Sequence, residues 1–333
     1  MKNVVVIGGG SGLSSMLSGM KKLANANITA IVTVADNGGS TGRLRQTYNV
    51  PAIGDIRHVL TAMANVEDES LFAELMNYRF SGNKDIGGHN LGNLMFLALM
   101  DITGSFMGAI EAISHVLNVR GKIVPSTLDI VTLYAMMEDG TMIRGEESIP
   151  KAHNNINKVF YQQKVHPYLD ALEAIRDADL IIYGIGSLYT SIIPNLIIPE
   201  ISQAIHDNPC PKIYFCNAMT QQGETDGYSV EDHIRALEKH SFKDAVDLVV
   251  VNQSYIPRPI LETYAKQHSY PVEIKETEHD YGIMQRLLVQ FDVQGRIRHD
   301  PKAVCTAVAE ILEKIDSKED LRVLYQRSEK TNL

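Results

Sequence analysis

The apolar residues of this chain fall into short runs separated by longer amphipathic stretches. "NVVVIG" (3–8) is continuous, β-branched and closed by glycine, the pattern of a strand buried on both faces. The stretch 12–26 follows with Leu13, Met16, Leu17, Met20 and Leu23 on one face, which predicts an amphipathic helix. "ITAIVTV" (28–34) predicts the next strand. "ADLIIYG" (178–184), "KIYFCN" (212–217) and "DLVVVN" (247–252) repeat the pattern, each ahead of a loop and a helical stretch. Repeated alternation of this kind predicts an α/β fold with a mostly parallel sheet and helices on both faces.

Two segments depart from the alternation. Residues 51–117 read as mostly helical. Residues 122–149 alternate with a period of two around Asp139-Gly140, a hairpin signal, and are expected as an antiparallel addition to the edge of the sheet. No low-complexity linker and no repeat of fixed period interrupts the chain. Residues 1–316 are therefore expected to form one domain, with 317–333 a charged tail whose last residues are loose.

Composition narrows the function more than the fold. A chain of 333 residues with 44% apolar and 21% charged residues is ordinary for a globular protein. The formal net charge of −9 speaks against nucleic acid and confines any anion site to a local positive pocket. Cys210, Cys216 and Cys305 are scattered, which fits a reducing cytoplasm and offers neither a disulfide framework nor a zinc site. The first apolar run is too short for a secretory signal, and none is long enough to span a bilayer. A cytoplasmic protein without membrane insertion is expected.

The chemistry is concentrated in five polar loops, all expected at the carboxyl ends of strands, where open parallel sheets bind ligands. The first is "GGGSG", with Gly9, Gly10, Ser11 and Gly12 ahead of a helix whose free N–H groups suit an anion. It is not a full GxGxxG fingerprint, and a tight turn is the plain alternative. The second is "ADNGGSTGRLR" (35–45). Asp36 stands where dinucleotide folds place a ribose-binding acid, or simply initiates a turn. Gly38 and Gly39 bare the backbone, and Arg43 and Arg45 suit phosphate oxygens or a solvated helix face. The third, "GGHNLGN" (87–93), brings His89, Asn90 and Asn93 to a helix start, where Asn90 also reads as a cap. The fourth, "GIGSLYTSIIPNL" (184–196), offers Gly186, Ser187 and Thr190 to a phosphate, with Tyr189 placed to cover a base or sugar, or either hydroxyl serves only as a cap. The fifth, "CNAMTQQGETDGYS" (216–229), offers Asn217 and Thr220. Together the loops suit a phosphorylated ligand lying across the sheet's edge.

No catalytic constellation accompanies them. There is no GxSxG elbow, no P-loop and no HExxH, and no close His/Cys cluster. Asp36, Asp55 and Glu224 are the acids near the loops, and one or two of them with a ligand diphosphate suit Mg²⁺. No resident metal and no required cofactor is expected.

The motifs "VVIGGGSGLS", "TVADNGGSTGRLR", "GDIRHVL", "GGHNLGNL", "VLNVRGKIVPST", "GSLYTSIIPNL", "CNAMTQQGETDGYS" and "GRIRHD" stand in an order that resembles the gluconeogenesis-factor family, which shares its fold with phospholactate transferase. The resemblance runs from about residue 3 to about residue 312. It implies a modified Rossmann-like fold and a regulatory protein that binds UDP-linked sugars, notably UDP-N-acetylglucosamine. It also implies a need for the protein in growth on gluconeogenic carbon sources and in cell shape and wall synthesis. Residues 9–12, Asn37 to Ser40, Ser187 to Thr190 and Asn217 would form the ligand site, with Tyr264 and Arg298 matching the family's Tyr and Arg. From the residues alone, Tyr264 reads as a helix-surface residue and Arg298 as a hairpin charge.

Three positions depart from the family pattern. Asn37 replaces a second acid, Ile185 replaces a proline, and Pro301 stands where some relatives carry a phosphorylatable threonine. The alternative reading is a Mg²⁺-dependent transferase using a nucleotide-linked substrate. A dehydrogenase is disfavoured by the incomplete fingerprint, although NAD or another diphosphate nucleotide fits the same cradle. A protein partner in wall regulation is implied, and fold-level analogy favours a homodimer.

Overall fold

The computed structural model describes residues 1–65, 71–82 and 85–322. The strands are β1 Lys2–Gly8, β2 Ala26–Val32, β3 Lys122–Pro125, β4 Leu133–Met137, β5 Met142–Arg144, β6 Ile156–Tyr161, β7 Leu180–Tyr183, β8 Lys212–Phe215, β9 Leu248–Asn252, β10 Gly282–Arg286, β11 Val289–Phe291 and β12 Ile297–His299. The helices are α1 Gly10–Met20, α2 Gly39–Tyr48, α3 Gly54–Met63, α4 Leu71–Asn77, α5 Leu91–Thr103, α6 Phe106–Val116, α7 Leu169–Arg176, α8 Ile193–Leu196, α9 Pro199–Asp207, α10 Val230–His240, α11 Arg258–Ala265 and α12 Pro301–Asp316.

Seven strands form one parallel sheet in the order β10-β9-β8-β7-β1-β2-β3. β1 lies inside it between β7 and β2, and its Val4 to Ile7 are all buried. Helices lie on both faces, so a central strand has no wet side and its sequence is apolar without alternation. On one side α1 packs against α3 and α12; α7, α8 and α9 form a second group. The chain order reverses beside β1, between β7 and β2, and so creates a switch point at the strand ends.

The predicted hairpin splits in two. Residues 122–125 are β3, the parallel edge strand of the main sheet. The turn at Asp139-Gly140 joins β4 to β5, but these pair with β6 in a three-stranded sheet of their own, not at the main sheet's edge. The hairpin's apolar positions point to an element 20 residues on, a non-local pairing that local alternation cannot specify. A third sheet, β11–β12, is a two-stranded ribbon. Of the charged tail, residues 323–333 lie outside the described residues. Among the described residues, no single helix is long and apolar enough to cross a membrane.

Candidate functional site

A crevice of about 480 Å³ opens over the carboxyl ends of β8, β7, β1 and β2. A larger cavity of about 790 Å³ lies between α10 and residues 276–281. It faces the amino ends of β9 and β10, the wrong end of a parallel sheet for ligand binding, and its lining is mainly charged side chains. The crevice is the candidate site.

Its floor is the first glycine loop. Gly9 is extended, and Gly10, at φ +68°, turns the chain into α1, a conformation that side chains resist. Gly12 lets this loop meet the one after β7, because a Cβ there would lie 2.6 Å from the carbonyl oxygen of Ile185. The N-cap Gly9 offers no side chain, and the Asp55 carboxyl takes the Gly10 N–H; the following first-turn N–H groups and the positive end of the α1 dipole face the crevice. Gly9, Gly10, Ser11 and Gly12 all line it.

The β8 side has no acid in its lining. Asn217 Nδ2 donates to the Gly186 carbonyl at 2.9 Å, and Gln221 Nε2 donates to Ser187 Oγ at 2.9 Å. These bonds fix Gly186, Ser187 and Asn217 along one wall. Tyr264 on α11 accepts the Ile297 N–H at 2.8 Å and so locks the β11–β12 ribbon over the crevice, with Arg298 at its rim. Ser15 on α1 holds the same ribbon by donating to the His299 carbonyl at 3.1 Å. His299 also lines the crevice, and burial pushes its imidazole down to about 4, so it is neutral at physiological pH.

The β2 side is acidic. Asp36, Asp55 and Glu146 line it. Asp36 accepts the Gly38 N–H at 2.8 Å, yet burial still pushes its carboxyl up. Burial, and then the charge of Asp36, pushes Asp55 up to about 7. Burial, with Asp36 and Asp55 as neighbours, pushes Glu146 up to about 8. Among the described residues, no group of three or more His, Cys, Asp or Glu side chains is arranged to hold a metal ion. Any cation here would have to complete its shell with ligand oxygens.

Eleven of the expected site residues do not line the crevice. Both arginines of the second loop serve backbone carbonyls instead of an open anion site. Arg43 donates to Gly87 O at 3.0 Å. Arg45 is buried and donates to the carbonyls of Asp36 and Val131. Ser40, His89, Asn90 and Asn93 form a buried knot. Ser40 Oγ accepts the Asn90 N–H at 3.2 Å and lies 3.1 Å from His89 Nδ1, while Asn90 caps α5 through the Asn93 N–H. Asn37 faces the hairpin and accepts the Glu147 N–H, while Gly38 caps α2 and Gly39 begins it. Tyr189 is buried with its hydroxyl 2.8 Å from that of Tyr228, and Thr220 accepts the Tyr270 N–H.

Thr190 lines the crevice, but its hydroxyl is occupied. It donates to Glu224 at 3.0 Å, and the same carboxyl accepts the Tyr189 N–H at 3.2 Å. Glu224 therefore fills the anion position at the start of the π-turn Leu188–Ile192. Sequence reasoning missed Glu146, because an acid after a hairpin looks like any solvated turn residue. It also passed over Ser191, Met219 and His299, although "GRIRHD" carried a signal for the last.

Comparison with known proteins identifies the family. The family model for 2-phospho-L-lactate transferase CofD matches residues 4–289. A "Gluconeogenesis factor" of Halalkalibacterium halodurans is 44% identical over 319 residues, covering 93% of this chain and 96% of that protein. A "Gluconeogenesis factor" of Bacillus subtilis is 42% identical over 316 residues, covering 93% and 98%. A solved structure of a UPF0052-family protein from Bacillus halodurans superposes with a TM-score of 0.88 at 44% identity, covering 92% of this chain and 99% of that one. The chain thus belongs to the CofD family, among its gluconeogenesis factors.

Proposed function

We propose that this protein is a cytoplasmic regulator that binds a UDP-sugar, with UDP-N-acetylglucosamine as the expected ligand. As a gluconeogenesis factor, it would couple that ligand's level to growth on gluconeogenic carbon sources and to cell shape. One observation carries the reading, the order of chemistry along the crevice. Strand order places neutral amides with Tyr264 and Arg298 at the β8 end, the N–H groups of α1 in the middle, and carboxyls at the β2 end. A nucleoside, a diphosphate and a polyhydroxylated group stand in the same order in a nucleotide sugar. The crevice volume also lies within the range of small-molecule sites. Ligand binding regulates by favouring one conformation, through its differential affinity for the two.

The test is calorimetric titration of nucleotide-free protein with UDP-N-acetylglucosamine, UDP-glucose, GTP and NAD, with and without Mg²⁺, followed by product analysis. The expected result is a dissociation constant for the UDP-sugar of about micromolar, near −8 kcal/mol, with nothing consumed. Tyr264→Ala and Arg298→Ala should each weaken it about tenfold or more. Asp36 and Asp55 on one wall favour the second reading, a Mg²⁺-dependent transferase. Binding or turnover of GTP that requires Mg²⁺, with silence toward UDP-sugars, would establish that reading instead.

A further inference from the structure

The hairpin sheet gives the crevice one lining residue, Glu146, and it does so through a bond from the loop after β2. Glu146 begins the short 3-10 turn Glu146–Ser148 that follows β5. The turn is fixed at both ends. The Gly145 N–H donates to the Leu133 carbonyl at 2.8 Å, anchoring the turn to β4. Asn37 Oδ1 accepts the Glu147 N–H at 3.0 Å, anchoring it to the main sheet. The two adjacent acids then divide. Glu147 turns outward and pairs with Lys151 at 2.7 Å, whereas Glu146 faces the crevice beside Asp36 and Asp55.

We propose that Glu146 is a specificity-determining residue for the sugar of the ligand, hydrogen-bonding its hydroxyls at the β2 end of the crevice, and that Asn37 is the residue that positions it. This inference rests on the nucleotide-sugar reading. A carboxyl has two in-plane oxygens whose spacing suits adjacent hydroxyls. With its proton held to about pH 8, Glu146 can also donate, and a sugar hydroxyl both gives and accepts. The diphosphate, over the α1 N-terminus, leaves this end to whatever is attached beyond it. Asp, like Asn, has an oxygen to accept the Glu147 N–H, so Asn37→Asp keeps the clamp.

The experiment is titration with UDP and with UDP-N-acetylglucosamine of the wild type and of Glu146→Ala, Glu146→Gln, Asn37→Ala and Asn37→Asp. The wild type should prefer the UDP-sugar to UDP. Glu146→Ala should weaken the UDP-sugar about tenfold while leaving UDP unchanged or slightly tighter, and Glu146→Gln should retain part of the preference. Asn37→Ala should reduce the same ratio, and Asn37→Asp should restore it. If Glu146→Ala weakens both ligands equally, or tightens both as simple removal of negative charge would, the inference is overturned. Should Glu146→Ala fail to fold, Glu146→Gln and the Asn37 pair decide by the same ratio. A wild type that binds UDP and UDP-sugar alike overturns this inference and leaves the nucleotide reading standing. A wild type that binds neither overturns both.

Discussion

Asp55 shows how a single side chain can set the pH behaviour of the crevice. Its carboxyl sits where burial and the neighbouring Asp36 resist ionisation, so its pKa in the fold rises from 3.8 to about 7. The folded state then holds a proton that the unfolded chain has already released. Stability from this group is present below about pH 4 and is lost as pH rises through about 7. Asp55→Asn removes the penalty without changing shape. The variant should resist urea better than the wild type near pH 8, and the two midpoints should converge toward about pH 4. At this scale the sequence was partly legible. The glycines of residues 9–12, Asp36, Ser187 and Asn217 were identified from residue type and place, and all line the crevice. The arginines were not, for a physical reason: a guanidinium seeks oxygen, and a buried carbonyl satisfies it as a phosphate does. Only the folded positions of Gly87 O and Asp36 O show which oxygen Arg43 and Arg45 meet.

Between single residues and the whole fold, the start of the helical segment after β7 deserves a quantitative test. Glu224 is buried and takes the Tyr189 N–H and the Thr190 hydroxyl. Glu224→Ala leaves both donors without an acceptor and should cost about 1–3 kcal/mol of stability for each donor left unsatisfied, read by urea unfolding. Glu224→Gln keeps an oxygen and should cost less. Elements differed in how plainly the chain announced them. The central strands were legible because burial on both faces demands unbroken apolar runs. The hairpin turn was legible because Asp-Gly specifies it locally. Its partner β6 was not, since "INKVFY" mixes exposed polar and apolar positions and its pairing is decided by tertiary contacts. β10 was missed for a similar reason: it is an edge strand, "GIMQR", with only its first half buried.

Across the molecule, an acidic chain holds its candidate anion site beside three carboxyls, and this sets the pH dependence of binding. Glu146 and Asp55 lose their protons near about 8 and about 7, so the β2 end becomes negative as pH rises through that window. Affinity for a diphosphate ligand should therefore be higher at about pH 6 than at about pH 8.5, and binding near neutrality should take up protons. Calorimetry in buffers of different ionisation enthalpy reads both effects. The division of labour between sheets has a further consequence. The parallel sheet carries the glycine loop and the wall beside β8, whereas the acid at the far end is carried by a small sheet of its own, which packs into the same core and meets the loop after β2 through the Asn37 amide. On the proposed reading, the part of the site that meets the sugar and the part that meets the nucleotide are built on different sheets. The proposed ligand's handle and head would then answer to separate substitutions, one set in the glycine loop and one in the turn after β5.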